Sequence, residues 1–212
     1  PINHLYSFFP LLDTDAPFDC VMHATYSLGD HRNTVIANDT NKKIGEYQLD
    51  FLFQIANFLS QKDPHCAQSI LTPKHYNYNL GKIFPAAFSR LSLEDYYVKG
   101  LVNLKIFKTV TGDLVSINDG PKSIEVNFPK CFNEAPFSKL LSHDVNVAPL
   151  INLITSRLNI DIQFRADDLC EAINNRTNDW TISEQVEVFI WWNENGKRSK
   201  LPQLLKARSE GH

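Results

Sequence analysis

A polar cluster, Gly29-Asp30-His31-Arg32-Asn33, interrupts a strongly patterned part of this 212-residue chain. An arginine in such a cluster could bind two oxygens of one phosphate through its planar guanidinium fork. The cluster follows an alternating apolar run and precedes a helical pattern, which predicts a loop between a strand and a helix. A solvated turn without any ligand is the alternative, and the residues by themselves favour that alternative.

The elements that must hold this loop follow from the spacing of apolar residues. Residues 18–28 alternate between apolar and mostly polar positions, which predicts a half-buried strand, antiparallel to an aromatic-rich strand at 5–12. Apolar residues then recur at three- and four-residue intervals, which predicts a helix over about 42–61 whose buried face holds the loop rigid. That face comprises Ile44, Tyr47, Phe51, Leu52, Ile55, Phe58 and Leu59, and the candidate N-caps are Asp39, Thr40 and Asn41.

Together these patterns predict an α+β fold over residues 1–136, with an antiparallel or mixed sheet and a long packed helix. A small helical subdomain is expected at 137–208, and residues 209–212 are interpreted as a tag remnant. Residues 63–91 predict a loop-rich connection. The further predicted elements are a helix at 93–101, strands at 103–107, 114–117 and 124–128, and helices at 147–158, 165–175 and 183–194, the last opened by a capping box at 181–184.

Composition narrows the classes of function. The formal charge is −3, from 21 basic and 24 acidic residues, so no broad positive field favours nucleic acid as a partner. Four widely spaced cysteines and the lack of a long apolar run predict a reduced, cytoplasmic compartment and no membrane partner. The start at Pro1 suggests an excised piece of a larger protein.

Other groups of reactive residues have simpler interpretations. Cys20 and His23 have an odd spacing on the predicted strand, which sends them to opposite faces and argues against a metal site. His65, Cys66 and His75 are expected to be loop residues. Glycine-rich phosphate loops are missing from the sequence, so the chain alone should hold no nucleotide. A DNA-binding helical module is the weakest alternative, because the basic residues from Lys197 onward follow the last helix.

Several stretches resemble sacsin and bacterial sacsin-like proteins, and their order is similar to the middle region of the ninety-kilodalton heat-shock chaperones of the GHKL superfamily. The matching pieces are Phe8-Phe9-Pro10, Ala16-Pro17-Phe18, His23 to Leu28, Asp30-His31-Arg32-Asn33 and Lys105 to Ser116. The resemblance covers about residues 4–60 and 101–128. The helical part after residue 136 departs from it.

The resemblance implies a role for the polar cluster. In the chaperone family the matching loop delivers an arginine to the γ-phosphate of ATP held by the preceding domain, so Arg32 is the expected catalytic residue and Asn33 its neighbour. ATP and Mg would belong to that domain, which is the implied partner together with a client protein. The chain itself is expected to be inactive alone. A non-catalytic interaction or structural module is the competing hypothesis, in which the aromatic helices dock another domain.

Overall fold

The computed structural model describes residues 4–7, 9–74, 82–123, 139–141, 148–165, 168, 171 and 180–195. The strands are β1 (His4–Ser7), β2 (Phe9–Asp15), β3 (Phe107–Lys108) and β4 (Leu114–Val115). The helices are α1 (Asp39–Ser60), α2 (Pro64–Leu71), α3 (Ala86–Ser89), α4 (Glu94–Leu101), α5 (Ala148–Leu158) and α6 (Ile182–Asn195). β1 pairs antiparallel with β2, and β3 pairs with β4. The α+β class is therefore confirmed, with small two-stranded sheets.

Contacts divide the chain into two compact units that interleave along the sequence. The first comprises residues 1–107, 116–118 and 144–160, and the second comprises 108–115, 119–143 and 161–212. The predicted segments 1–136 and 137–208 do not coincide with these units, because α5 packs against α4 within the first unit. Whether either predicted segment folds alone stays a prediction.

Helix α1 is the central element of the first unit and packs against α2 and α4. Two glycines allow the close approach of α1 and α4. A Cβ added at Gly45 would collide with the side chain of Leu93, and one at Gly100 would collide with the ring of Phe53. Both neighbours are buried, so neither can move aside easily.

An aromatic cluster fills the core of this unit. Tyr97 is fully buried and lies 5.5 Å from Phe18, 6.0 Å from Phe53 and 5.2 Å from Phe84, measured between ring centroids. Its hydroxyl donates a hydrogen bond to the carbonyl of Leu71. Burial raises the pKa of Tyr97 well above its ordinary value. The cluster joins α1, α2 and α4 to the segment that follows β2.

The predicted strand pair at 5–12 and 18–28 is wrong. The chain reverses inside the first predicted strand, so that Ser7 lies opposite Phe9 in the β1–β2 pair. Residues 18–28 form no continuous strand, and only one parallel bridge, between Tyr6 and His23, joins them to β1. The alternation of burial in 18–28 is nevertheless confirmed.

The reason lies in the hydrogen-bond partners of that segment. Backbone groups of His23 and Ser27 bond to amide side chains of α1, namely Gln48 and Asn41. Backbone N–H and carbonyl groups need partners, and here a helix supplies them where a second strand was expected. Tyr26 is buried on the same side and donates to the Oε1 of Gln48 at 2.6 Å.

Other predictions have mixed outcomes. The helices at 42–61, 93–101, 147–158 and 183–194 are confirmed with shifts of up to three residues. The stretch 63–91 is less loop-rich than predicted, because Asp63 caps α2 by accepting from the Cys66 amide at 3.1 Å, and α3 follows. The strand predicted at 103–107 is wrong except at Phe107, where β3 begins, and the strand at 114–117 shortens to Leu114–Val115. The strand at 124–128 and most of the helix at 165–175 lie outside the described residues.

The described residues of the second unit form an irregular set of bridges and the helix α6. Thr109 bridges Leu141, the next bridge joins Lys122 to Leu140, and a third joins Ser123 to Gln163. Helix α6 begins with the predicted capping box. Thr181 donates its backbone N–H to Glu184 at 2.7 Å, and the Glu184 N–H donates back to the Thr181 hydroxyl at 3.3 Å.

Candidate functional site

The polar cluster forms the tip of a short hairpin, which spans residues 27–36 and is called the arginine hairpin below. Leu28 and Val35 form an antiparallel bridge, and the Gly29 N–H donates to the Thr34 carbonyl at 3.0 Å. One step further out, the Ile36 N–H donates to the Ser27 carbonyl at 3.2 Å. The predicted strand-to-helix loop is thus a closed turn with its own hydrogen bonds.

Arg32 occupies the tip of this hairpin in the left-handed region, with φ of 57°. Its N–H donates to the Gly29 carbonyl at 2.8 Å, which closes the tight turn. The residue of this turn with positive φ is thus Arg32 itself and not Gly29. A non-glycine residue in this region costs about 1–2 kcal/mol. Such strain is often found at functional sites.

The side chain of Arg32 is exposed, as are those of Asp30 and His31. Within the part of the chain that the structure describes, the Arg32 guanidinium forms no ion pair or hydrogen bond. Asn33 is half-buried, and its carbonyl accepts from the Thr14 hydroxyl at 3.3 Å. Thr14 is buried on β2, so this contact fixes one side of the hairpin.

Asn41 fixes the other side, from the first turn of α1. Its Oδ1 accepts from the Ser27 N–H at 2.8 Å, while its Nδ2 donates to the carbonyls of Ser27 at 2.7 Å and Ile36 at 2.8 Å. The residue is fully buried, and both of its amide protons are used. Its own N–H donates to Asn38, which is the true N-cap of α1.

Sequence reasoning missed these anchors. Asn41 was predicted only as one of three possible N-caps, and Asn38 and Thr14 were not predicted at all. The available signal was the density of asparagines before the helix, since asparagine bonds readily to nearby backbone. Which asparagine caps and which reaches back to the loop depends on tertiary contacts.

The other candidate residues do not assemble a site. Cys20 is half-buried and His23 is exposed, and burial raises the pKa of the Cys20 thiol. His65 and Cys66 belong to helix α2, which corrects the prediction of a surface loop. His75 lies outside the described residues. No group of three or more potential metal ligands occurs among the residues that the structure describes.

Comparisons with protein-family models, with curated proteins and with solved structures found no match. Across the described ranges, none of the helices combines the length and the apolar character needed to cross a membrane. The arginine hairpin, with its exposed guanidinium and its two buried anchors, is the best-defined candidate site.

Proposed function

We propose that the arginine hairpin presents Arg32 to the phosphates of a nucleotide held by another domain of a sacsin-like, chaperone-type ATPase. In this proposal the chain is the middle and adjoining C-terminal region of that protein, and ATP with Mg is held outside it. The observation that supports the proposal is an exposed arginine, unpaired among the residues that the structure describes, at the tip of a turn whose base is fixed by Thr14 and Asn41.

The chemistry suits this arrangement. A guanidinium can bind two phosphate oxygens at once and offset the charge that develops on them during phosphoryl transfer. Such a group is most effective when its position is fixed in advance, and the anchored base provides that. Because the arginine would come from outside the nucleotide domain, hydrolysis would wait until the two domains dock. Asn33 would assist through its side-chain amide, since its carbonyl is already engaged by Thr14.

The test is steady-state ATP hydrolysis by the full-length protein that contains this chain. We expect Arg32→Ala to lower turnover at least about tenfold, which corresponds to about 1.4 kcal/mol of barrier, with ATP affinity retained. Arg32→Lys should recover little, because lysine lacks the two-pronged fork. The matched control is Arg90→Ala, which removes another exposed arginine of the same unit. Equal turnover in the Arg32 and Arg90 variants would refute the proposal.

A second candidate function, a protein-interaction module, is favoured by the outer face of α1. Tyr47, Phe51 and Phe58 are 71%, 64% and 61% exposed and share one helical face with the half-buried Ile44 and Ile55. We call these five residues the aromatic stripe. Lys62 lies over the Phe58 ring, 4.7 Å from its centroid. Exposed apolar faces of this kind commonly mark contact surfaces.

Helix α6 carries a comparable exposed face in the second unit, formed by Ile182, Val186, Phe189 and Ile190.

One comparison of variants separates the two candidate functions. An activity of the full-length protein that survives Arg32→Ala, but is lost when Tyr47, Phe51 and Phe58 are all changed to glutamine, would favour the interaction module. The reverse pattern would favour the phosphate-sensing arginine.

A further inference from the structure

We infer that Asn41 is the positioning residue of the arginine hairpin, holding the turn that carries Arg32 in register with the first turn of α1. As far as its effect on turnover is concerned, this inference rests on the proposed function. The claim that Asn41 fixes the hairpin concerns the chain alone and can be tested without any knowledge of the activity.

The Asn41 side chain bonds to both ends of the hairpin. Ser27 and Ile36 are the two outermost residues of the hairpin, and Asn41 bonds to the backbone of both. One side chain therefore holds the incoming and the outgoing chain together and attaches them to the helix. The bonded distances of 2.7–2.8 Å are those of well-formed hydrogen bonds.

A short hairpin needs such help. It carries few cross-strand hydrogen bonds, and isolated two-stranded hairpins are at best marginally stable in water. Its tip also holds Arg32 in the unfavourable left-handed region. Loss of the Asn41 bonds would leave the Ser27 N–H and the Ile36 carbonyl without a partner, and the Ser27 carbonyl with the Ile36 N–H alone, so the base would open toward water. The tip would then sample many positions, and Arg32 would lose its fixed direction.

The first experiment compares two isosteric substitutions in the chain itself, Asn41→Asp and Gln68→Glu. Each places a carboxylate against a backbone carbonyl that a buried amide now contacts, because the Gln68 Nε2 donates to Ile106 at 2.7 Å. We expect both to destabilise the fold. Only Asn41→Asp should speed amide exchange at Gly29, Arg32 and Ile36, by about tenfold or more when compared at equal global stability.

If Asn41→Asp does not fold, amide hydrogen exchange in the wild-type chain tests the same inference. The Ser27 amide should be protected and should open together with those of Gly29 and Ile36, because all three depend on the same base. A Ser27 amide that exchanges as fast as an unstructured one would overturn the inference. So would equal acceleration of the hairpin amides in the Asn41 and Gln68 variants.

The second experiment measures turnover of the full-length protein. Asn41→Asp should lower kcat about tenfold or more while KM for ATP stays unchanged, and Gln68→Glu should leave kcat unchanged. A normal kcat in Asn41→Asp, alongside a strong loss in Arg32→Ala, would overturn the positioning role and leave the proposed function intact. A normal kcat in Arg32→Ala would instead overturn the proposed function, and amide exchange would still decide whether Asn41 fixes the hairpin.

Discussion

Replacing Arg32 by glycine should make the protein more stable and, under the proposed function, less active. Arg32 has φ of 57°, a conformation that glycine adopts freely, and its side chain is exposed, so little packing is lost. Relief of the backbone strain is worth about 1–2 kcal/mol. The added freedom of the unfolded chain costs about 0.4–1 kcal/mol. The net gain is therefore about 0.5–1 kcal/mol, or a rise in Tm of about 1–4 °C for a chain of this length.

The assay combines thermal unfolding of the chain with ATP turnover of the full-length protein. Turnover should fall at least about tenfold, as for Arg32→Ala. Ser92 and Asn159 also have positive φ, of 57° and 52°, and both are exposed. Ser92→Gly therefore supplies a similar backbone relief without touching the hairpin, and Asn159→Gly a smaller one because asparagine tolerates this region; turnover should not change in either variant. A less stable Arg32→Gly protein would refute the strain argument, and undiminished turnover would refute the role of the guanidinium.

Three further predictions concern stability. Changing Tyr47, Phe51 and Phe58 to glutamine should alter the free energy of unfolding by less than about 0.5 kcal/mol each, whereas Leu49→Ala on the buried face should cost about 2–5 kcal/mol in denaturant titrations. Gly45→Ala should destabilise by about 1–3 kcal/mol through its clash with Leu93, despite the better helix propensity of alanine, and a more stable variant would contradict this packing. Hydrogen bonds from Thr181 lower the pKa of Glu184. The capping box should therefore stabilise the fold fully at pH values above the unfolded-state pKa, near 4.5, and this stabilisation should be lost as the pH falls through the lower folded-state pKa. Amide exchange at the start of α6 should show this pH dependence, and Glu184→Gln should abolish it.

Four helices, α1, α4, α5 and α6, could be predicted because their signals are local, whereas α2 and α3 lie in the stretch that was predicted to be loop-rich. Periodicity located α1, α5 and α6, the helix-start signal at residues 92–95 located α4, and the Thr181–Glu184 pair located the start of α6. The pairing of the strands could not be predicted, because alternating burial does not reveal which groups bond to the backbone. Residues 18–28 alternate as a strand would, yet their polar groups turn to Asn41 and Gln48 on a helix.

The buried face of α1 was also predicted only in part. The predicted face combined apolar residues from two sides of the helix. Tyr47, Phe51 and Phe58 are exposed, whereas the small residues Gly45 and Ala56 are buried. Hydrophobicity alone cannot reveal this, because Gly45 is buried where only a residue without a side chain fits against Leu93. At the site, the sequence located Arg32 and the turn. The left-handed conformation and the Asn41 anchor depend on contacts between distant residues.

Helix α1 serves the two candidate functions through different residues. Asn41 lies in its first turn and faces the hairpin, whereas the exposed aromatic residues begin at Tyr47, about 9 Å further along the axis, and extend about 16 Å to Phe58. The anchor is buried and depends on exact hydrogen bonds, while the stripe is exposed and depends on apolar area. Substitutions in the stripe therefore leave the hairpin bonds in place, and substitutions at Asn41 leave the outer face intact. This separation lets one helix be tested for both roles, since a loss of function can be traced to the first turn or to the outer face.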